Sequence, residues 1–245
     1  MNEVVAIIPA RSGSKSIIDK NITQLSGYPI IAYSLIAAQL SKNISRVIVS
    51  TDSKEYAKIA KLFGAEVPFI RPKEISTDDS TDRDFFLHAM KWLEENEGSI
   101  PEYFVHLRPT TPLRDSYIID EAINILINSS DATSLRSGHP SPESPLKWFT
   151  LNEQGFFQGL LPSNNDLEYY NQPKERFDTV FIPNGYVDIV KSSHVMNSDN
   201  LHGENMIGFE TKVCSEIDSI EELDYIEFQL NRDGSLLLDE LNLKY

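Results

Sequence analysis

Cysteine is almost absent from this chain of 245 residues. Cys214 stands alone, so no intramolecular disulfide can form and no pair of cysteines has the spacing of a zinc site. Long apolar runs are missing too, since none approaches the roughly 20 residues that a membrane-spanning helix needs. The first residues enter an apolar strand pattern without the features of a signal peptide. We therefore expect a cytoplasmic protein that has no membrane partner.

Positive charge is scarce as well. The chain has 22 Lys and Arg against 37 Asp and Glu, which gives a net charge of −15. Because such a surface repels polyanions, we expect no nucleic-acid partner, and a polyanionic substrate would need a local cluster of cations and a divalent cation. The phosphate-binding patterns G-x-G-x-x-G and G-x-x-x-x-G-K-[ST] are absent, which excludes those two loops.

The opening stretch is the most informative part of the sequence. Val4 to Ile8 is a continuous apolar run, typical of a strand that is buried on both faces of a parallel sheet. The loop after it combines small residues, cations and an amide, namely Ala10, Arg11, Ser12, Gly13, Ser14, Lys15, Lys20 and Asn21. Loops at the carboxyl ends of such strands bind ligands, and small residues and cations suit phosphate. We predict a loop that binds a nucleoside triphosphate; the alternative is a surface loop with solvated lysines.

Strand and helix patterns alternate along the chain. Strands are predicted at 46–50, 66–70, 103–107, 132–135 and 180–189, and helices after Pro29 with one buried face, after Ser53, over 84–95, through Ile119 to Leu126, and after Ser219. This alternation predicts a doubly wound α/β fold with a mostly parallel sheet. We expect one domain over residues 1–245.

Residues 139–179 interrupt this regular pattern. Their first seven residues are too rich in proline for a helix or a central strand. An irregular segment follows with six aromatic residues, Trp148, Phe149, Phe156, Phe157, Tyr169 and Tyr170. Because exposed apolar patches mark partner surfaces, we predict an arm inserted in the domain that forms a homodimer. A lobe that packs on itself is the alternative.

Two carboxylates close to the C-terminal end of the chain form a candidate metal site. In a strand, Glu216 and Asp218 would point to the same face, and two adjacent carboxylates favour a cation such as Mg²⁺ between them. Ser219 and Glu222 have the spacing of a capping box, which starts a helix there. An ordinary acidic pair before a helix is the alternative.

The opening loop resembles a known signature. Its pattern Ala10-Arg11-x-Gly13-Ser14-Lys15-x-Ile17-x-x-Lys20-Asn21 is similar to the loop of the cytidylyltransferases that activate sialic acid and related nonulosonic acids. The resemblance implies a Rossmann-like nucleotidyltransferase in which this loop wraps the triphosphate of CTP. It implies that Arg11 and Lys20 contact phosphates, that Lys15 assists them, and that Asn21 lies near the cytosine. It further implies that residues 139–179 are a dimerisation arm that reaches over the partner's active site.

Other segments share the resemblance. Arg108-Pro109-Thr110-Thr111-Pro112-Leu113-Arg114 is similar to the family segment that faces the sugar acid, although Gln is common where Arg108 stands. Pro183-Asn184-Gly185-Tyr186 matches a Pro-Asn-Gly turn, with Asp188 where a tyrosine is usual. The sugar-binding residues that the resemblance implies are Arg108, Thr110, Thr111, Lys147, Lys174, Asn184, Gly185 and Tyr186, the two lysines acting across the dimer.

Arg71 matches a family position near the cytosine, with a surface salt bridge as the alternative. The family ends its catalytic core with two carboxylates, usually both Asp, which implies that Asp218 binds Mg²⁺ directly and that Glu216 binds it through water. Arg11, Lys20 and Asp218 would be the catalytic residues of a CTP-dependent transfer to a nonulosonic sugar acid. A nucleotidyltransferase for another sugar or base, or a regulatory nucleotide-binding protein without turnover, remains the alternative.

Overall fold

A six-stranded sheet forms the centre of the molecule. The computed structural model describes residues 3–160 and 168–245. The strands are β1 Val4–Pro9, β2 Gln24–Leu25, β3 Tyr28–Pro29, β4 Arg46–Ser50, β5 Tyr103–His106, β6 Ser134–Pro140, β7 Phe149–Leu151, β8 Phe157–Gly159, β9 Phe181–Lys191 and β10 Met206–Glu210. The α-helices are α1 Ile30–Leu40, α2 Lys54–Leu62, α3 Asp82–Glu97, α4 Ser116–Ile127, α5 Ser192–Asn197, α6 Ile220–Asp233 and α7 Leu236–Lys244. In these described ranges no helix is long and apolar enough to cross a membrane.

The sheet runs in the order β10-β6-β9-β5-β1-β4. β1 is parallel to β4 and β5, β10 is parallel to β6, and β9 is antiparallel to both of its neighbours. This confirms the predicted α/β class and the mostly parallel sheet. Val4 to Ile8 are all buried, as a continuous apolar run between two neighbouring strands requires.

Helices cover both faces of the sheet. Side chains of α1, α2, α4, α6 and α7 pack in the larger core on one face, and α3 packs Phe85 to Leu93 in a smaller core on the other. The prediction of one buried face on the first helix is wrong, because every residue from Ile30 to Ala38 is buried. This helix contacts α2, α4 and α7 as well as the sheet, so it has no solvent-facing side over that length.

Two further predictions need correction. The strand expected at 66–70 does not form: only Glu66 makes a single parallel bridge, to Ile48. Phe69 is buried in the smaller core instead, so its apolar character reflects packing rather than strand pairing. The proline-rich stretch does not exclude a strand, since β6 extends to Pro140. Proline is tolerated there because it is the last residue of the strand.

After β6, the described part of residues 139–179 contains only short elements. β7 and β8 form an antiparallel hairpin, and Phe149 of β7 contacts the rings of Phe157 and Tyr170. Residues 161–167 of the predicted arm lie outside the described part of the chain. Phe156 and Phe157 stay exposed, so the described portion does not bury its own aromatic side chains completely. The dimerisation arm stays a prediction.

Candidate functional site

A cavity of about 430 Å³ opens at the carboxyl end of β1. Its walls come from the loop after β1, the segment 71–85 and the loop after β5. The predicted site residues that line it are Arg11, Ser14, Lys15, Lys20, Asn21, Arg71, Arg108 and Thr110. Eight positions that are spread over a hundred residues of sequence therefore share one cavity. This is where an open α/β sheet binds its ligands.

Three cations of this cavity form ion pairs with carboxylates of the chain itself. Asp78 lies 2.8 Å from Arg11 Nη2 through one oxygen and 2.5 Å from Lys15 Nζ through the other. Hydrogen bonds from Lys15 and Arg11 hold the pKa of Asp78 below its usual range. Lys20 Nζ donates a hydrogen bond of 2.7 Å to Asp218. The loop therefore holds two cations at a spacing that one bidentate anion can bridge.

The shape of this loop depends on hydrogen bonds within and beneath it. The Ser12 N–H and hydroxyl both donate to the Asp52 carboxylate at 2.7 Å, and Asn21 Nδ2 donates to Arg11 O at 2.9 Å. Gly13 has a φ of +76°, which favours glycine. Ala10 is buried, and its N–H donates to Ser50 O. Ala10, Gly13 and Asn21 thus maintain the loop conformation, and Asn21 also lines the cavity.

Arg71 is buried in the cavity wall. It donates from Nε to Ser50 Oγ at 3.0 Å and from Nη2 to the Ser50 carbonyl, and its guanidinium lies over the ring of Phe85. Burial lowers its pKa to about 10, which keeps it charged at neutral pH. The alternative of an ordinary surface salt bridge is therefore wrong.

A buried arginine organises the loop after β5. Arg114 donates four hydrogen bonds, to Tyr186 O at 2.6 Å, Ser34 Oγ at 2.7 Å, Arg108 O at 2.7 Å and Gly185 O at 2.9 Å. It ties this loop to β9 and to α1. The sequence motif contains Arg114, but its residue type did not distinguish a structural role from a ligand contact.

Thr111 and Gly185 form the close contact between this loop and β9. Thr111 is buried and donates to Asn184 O at 3.4 Å. Gly185 has a φ of +61°, and a Cβ there would lie 3.2 Å from Thr111 Oγ1 and 3.3 Å from Arg108 Cδ. A larger residue would strain the backbone and displace Arg108. Gly185 therefore permits the wall of the cavity to form.

Two predicted sugar contacts lie in the interior. Tyr186 is fully buried, and its hydroxyl accepts a hydrogen bond of 2.6 Å from the Asp115 N–H at the start of α4. Asn184 Nδ2 donates to Thr211 Oγ1 at 2.7 Å. Neither residue lines the cavity, so in this structure they support the walls rather than face a ligand.

Arg108 belongs to a charged row that the sequence did not reveal. Its Nη2 donates to Asp82 Oδ2 at 2.7 Å and lies 3.7 Å from Asp188 Oδ2. Arg136 Nε lies 3.7 Å from the same Asp188 oxygen. Burial raises the pKa of Asp188, although both guanidinium groups oppose this. Asp82 and Arg136 come from a loop-to-helix junction and a neighbouring strand, which no local motif connects.

The two arm lysines do not reach this cavity. Lys147 Nζ donates to Gln172 O at 2.9 Å, and Lys174 Nζ donates to Pro142 O at 2.8 Å. Both hydrogen bonds stay within residues 139–179. The predicted function of these lysines across a dimer remains a prediction.

The carboxylates Glu216 and Asp218 do not stand on a strand, contrary to the register that we assumed. Residues 211–217 have no regular secondary structure, and the two side chains bind different partners at the edge of the cavity. Glu216 accepts from Thr110 Oγ1 at 2.8 Å, and Asp218 accepts from Lys20. The capping box is confirmed, since Ser219 accepts from the Glu222 N–H and Glu222 accepts from the Ser219 N–H.

This donor set can hold Mg²⁺ only with help from a substrate. Within residues 3–160 and 168–245 no group of three or more His, Cys, Asp or Glu side chains could hold a metal. Mg²⁺ commonly binds one or two carboxylates and completes its octahedron with water and substrate phosphates. Glu216 and Asp218, whose partners line the cavity, fit that arrangement.

Comparisons with known proteins agree with this geometry. The model of the cytidylyltransferase family matches residues 5–154. N-acylneuraminate cytidylyltransferase of Escherichia coli O18:K1:H7 is 30% identical over 234 residues, which cover 91% of this chain and 50% of that protein. CMP-N,N'-diacetyllegionaminic acid synthase of Legionella pneumophila is 29% identical over 206 residues, which cover 82% of this chain and 83% of that protein. The chain thus spans half the length of the Escherichia coli relative.

A solved structure supports the fold. The structure of CMP:2-keto-3-deoxy-manno-octonic acid synthetase complexed with CTP superimposes with a TM-score of 0.70 and covers 94% of this chain and 99% of that one. The sequence identity is 14%, so this likeness concerns the fold alone.

Proposed function

The chain belongs to the cytidylyltransferase family, and we propose that it transfers the cytidylyl group of CTP to a nonulosonic sugar acid. The products would be a CMP-sugar and pyrophosphate. The observation that carries this proposal is the pair of cations at the end of β1, Arg11 and Lys15, which one carboxylate of Asp78 bridges. The named activities of the sialic and legionaminic acid relatives support the choice of substrates.

The reaction needs positioning and charge stabilisation more than covalent chemistry. A hydroxyl of the sugar acid attacks the α-phosphorus of CTP and loses its proton to solvent, a P–O bond to the sugar forms, and the bond to the β-phosphate oxygen breaks to release pyrophosphate. Arg11 and Lys15 would bind the terminal phosphates in place of Asp78. Lys20, which is 14% exposed and points to Asp218, would stabilise the charge that develops during transfer.

Glu216 and Asp218 are the residues that we propose for Mg²⁺. A bound Mg²⁺ would withdraw charge from the phosphate oxygens. Asp218 would have to exchange its hydrogen bond with Lys20 for the metal, which frees Lys20 for a phosphate. Glu216 would keep its bond from Thr110 if it binds the metal through water.

CTP and the sugar acid would occupy different parts of the cavity. Asn21 and Arg71 lie on the nucleotide side, where we place the cytosine. Arg108 and Thr110 come from the loop after β5 and line the same cavity, and we place the sugar acid beside them. A guanidinium that donates two parallel hydrogen bonds suits the carboxylate of such a substrate.

We further propose a homodimer that is formed through residues 139–179. The hairpin of β7 and β8 exposes Phe156, Phe157 and Leu151, a concentration of large apolar side chains that is typical of a partner surface. Lys147 and Lys174 lie on this segment and would approach the partner's cavity once the two subunits associate.

Release of pyrophosphate tests the function directly. The protein would be incubated with Mg²⁺, each of the four nucleoside triphosphates and a panel of nonulosonic acids, and products would be identified by mass spectrometry. We expect a CMP-sugar with CTP only. Turnover with another nucleotide would indicate a different nucleotidyltransferase, and CTP binding without turnover of any sugar would indicate a regulatory protein.

A further inference from the structure

Asp78 lies where the proposed function places the terminal phosphates of CTP. One of its oxygens is 2.8 Å from Arg11 Nη2, and the other is 2.5 Å from Lys15 Nζ. A carboxylate and a phosphate both present neighbouring anionic oxygens, so the same guanidinium and ammonium groups bind either of them. The chain therefore supplies its own anion to the two cations that a triphosphate would need.

Asp78 belongs to a short turn, residues 77–80, that has hydrogen bonds of its own. The Thr77 N–H donates to Ser80 Oγ at 2.9 Å, and the Ser80 N–H donates to Thr77 O at 3.3 Å. Among the described residues, only Asp78 joins this turn to the loop after β1 by a hydrogen bond or an ion pair. The Asp78 side chain is 43% exposed, so water can replace both cations as its partner. Release of Asp78 therefore breaks two solvent-accessible ion pairs and leaves the turn intact.

The turn is anchored on both sides. Before it, the Ser76 hydroxyl donates to Pro72 O at 2.9 Å. After it, the Asp84 carboxylate accepts a hydrogen bond of 2.7 Å from the Thr81 N–H at the start of α3. Neither hydrogen bond includes Asp78. The carboxylate can therefore leave the cations and return to them while the flanking segments stay in place.

We propose that Asp78 is an autoinhibitory anion that competes with the terminal phosphates of CTP, and with pyrophosphate, for Arg11 and Lys15. Only the fraction of molecules in which Asp78 has left both cations binds phosphate there. The apparent dissociation constant is then the intrinsic constant divided by that fraction. The same competition weakens retention of pyrophosphate after the transfer. The inference rests on the proposed function and adds a means by which the chain regulates this site.

A carboxylate that only prepositions the two cations would have the opposite effect. Arg11 and Lys15 repel each other, and an anion between them keeps them close together. If Asp78 had this function alone, removal of its charge would weaken phosphate binding. Competition predicts stronger binding. The sign of the change therefore distinguishes the two functions.

Isothermal titration calorimetry with inorganic pyrophosphate, CTP and CMP in the presence of Mg²⁺ tests this without turnover. Asp78→Asn removes the charge and keeps the size of the side chain. Because two exposed ion pairs are weak, the dissociation constants of pyrophosphate and CTP should fall by about three- to tenfold. CMP lacks the terminal phosphates, so its dissociation constant should not change.

Two further variants show whether the effect is local. Asp79→Asn is the matched control, because Asp79 carries the same charge in the same turn but does not line the cavity. It should change none of the three dissociation constants. In Lys15→Met, Asp78 keeps only its ion pair with Arg11. Adding Asp78→Asn to Lys15→Met should therefore strengthen pyrophosphate binding by a smaller factor than it does in the wild type.

Several results would overturn the proposal. One is a dissociation constant for pyrophosphate that is unchanged or higher in Asp78→Asn. Another is an equal fall for CMP, or an equal fall in Asp79→Asn, since either would indicate a general effect of charge. A third is an effect of Asp78→Asn that is as large in Lys15→Met as in the wild type. Failure of the wild type to bind CTP would instead contradict the proposed function itself.

Discussion

Replacement of Arg114 should destabilise the protein more than replacement of any arginine on its surface. Arg114→Met keeps an unbranched apolar side chain but removes the guanidinium that donates to the carbonyl groups of Gly185 and Tyr186. The Arg108 carbonyl also loses a donor, although it keeps the Ser34 hydroxyl and the Thr111 N–H. Each buried acceptor without a donor costs about 1–3 kcal/mol. Burying a charge is itself unfavourable, as the lowered pKa of about 10 indicates, and its removal offsets part of this cost.

The net loss should be about 3–5 kcal/mol, the range for a broken buried polar network. For a chain of this size 1 kcal/mol corresponds to about 2–4 °C in Tm, so Tm should fall by about 10 °C or more. Thermal unfolding followed by circular dichroism measures this. Arg46→Met is the matched control, because Arg46 forms partly exposed ion pairs with Glu66 and Glu97 that should contribute about 1 kcal/mol or less. A Tm for Arg114→Met within about 2 °C of wild type would refute this reasoning.

The other predictions concern the reaction and the assembly. Lys20→Met should lower kcat/KM for CTP by about tenfold to a hundredfold, since it removes a charge-assisted phosphate contact. Lys15→Met should lower kcat/KM less, because the side chain of this lysine is 82% exposed. A larger loss in Lys15→Met than in Lys20→Met would contradict this expectation. Asp218→Asn should lower turnover by about a thousandfold, and added Mg²⁺ should not restore it. Glu216→Gln should lower turnover by about tenfold to a hundredfold, and added Mg²⁺ should restore part of it. Full activity of Asp218→Asn would place the metal elsewhere. Sedimentation should show a dimer at micromolar concentration that Phe157→Ser weakens, and a fully active monomeric wild type would exclude the arm as an interface.

Local sequence patterns correctly predicted a fully buried strand and the start of two helices. The continuous apolar run Val4 to Ile8 became a central strand, and Ser53 and Ser219 cap helices as their spacing indicated. The apolar pattern at 66–70 predicted a strand wrongly, because Phe69 is buried in the smaller core but does not belong to a strand. β10 was not predicted, because its apolar residues Met206, Ile207 and Phe209 neither alternate regularly nor form a continuous run, since Gly208 interrupts them.

The candidate site also contains residues that the sequence predicted and residues that it did not. The loop residues Arg11, Lys15 and Lys20 could be predicted because cations after a buried strand carry a local signal. Asp78, which bridges two of them, looked like an ordinary residue of a polar loop. Asp82 meets Arg108 through the start of α3, and Arg136 meets Asp188, which lies near Arg108, through the strand order. Such long-range neighbours depend on topology, which a single sequence does not reveal.

The proposed function depends on whether the loop after β1 holds the triphosphate of CTP. A crystal structure with CTP and Mg²⁺ in the absence of a sugar acid tests it most directly. We expect terminal phosphates within hydrogen-bond distance of Arg11 and Lys15, with Asp78 displaced from both, and Lys20 turned from Asp218 toward a phosphate. CTP bound outside this cavity, or Asp78 still bridging Arg11 and Lys15 beside bound nucleotide, would contradict it.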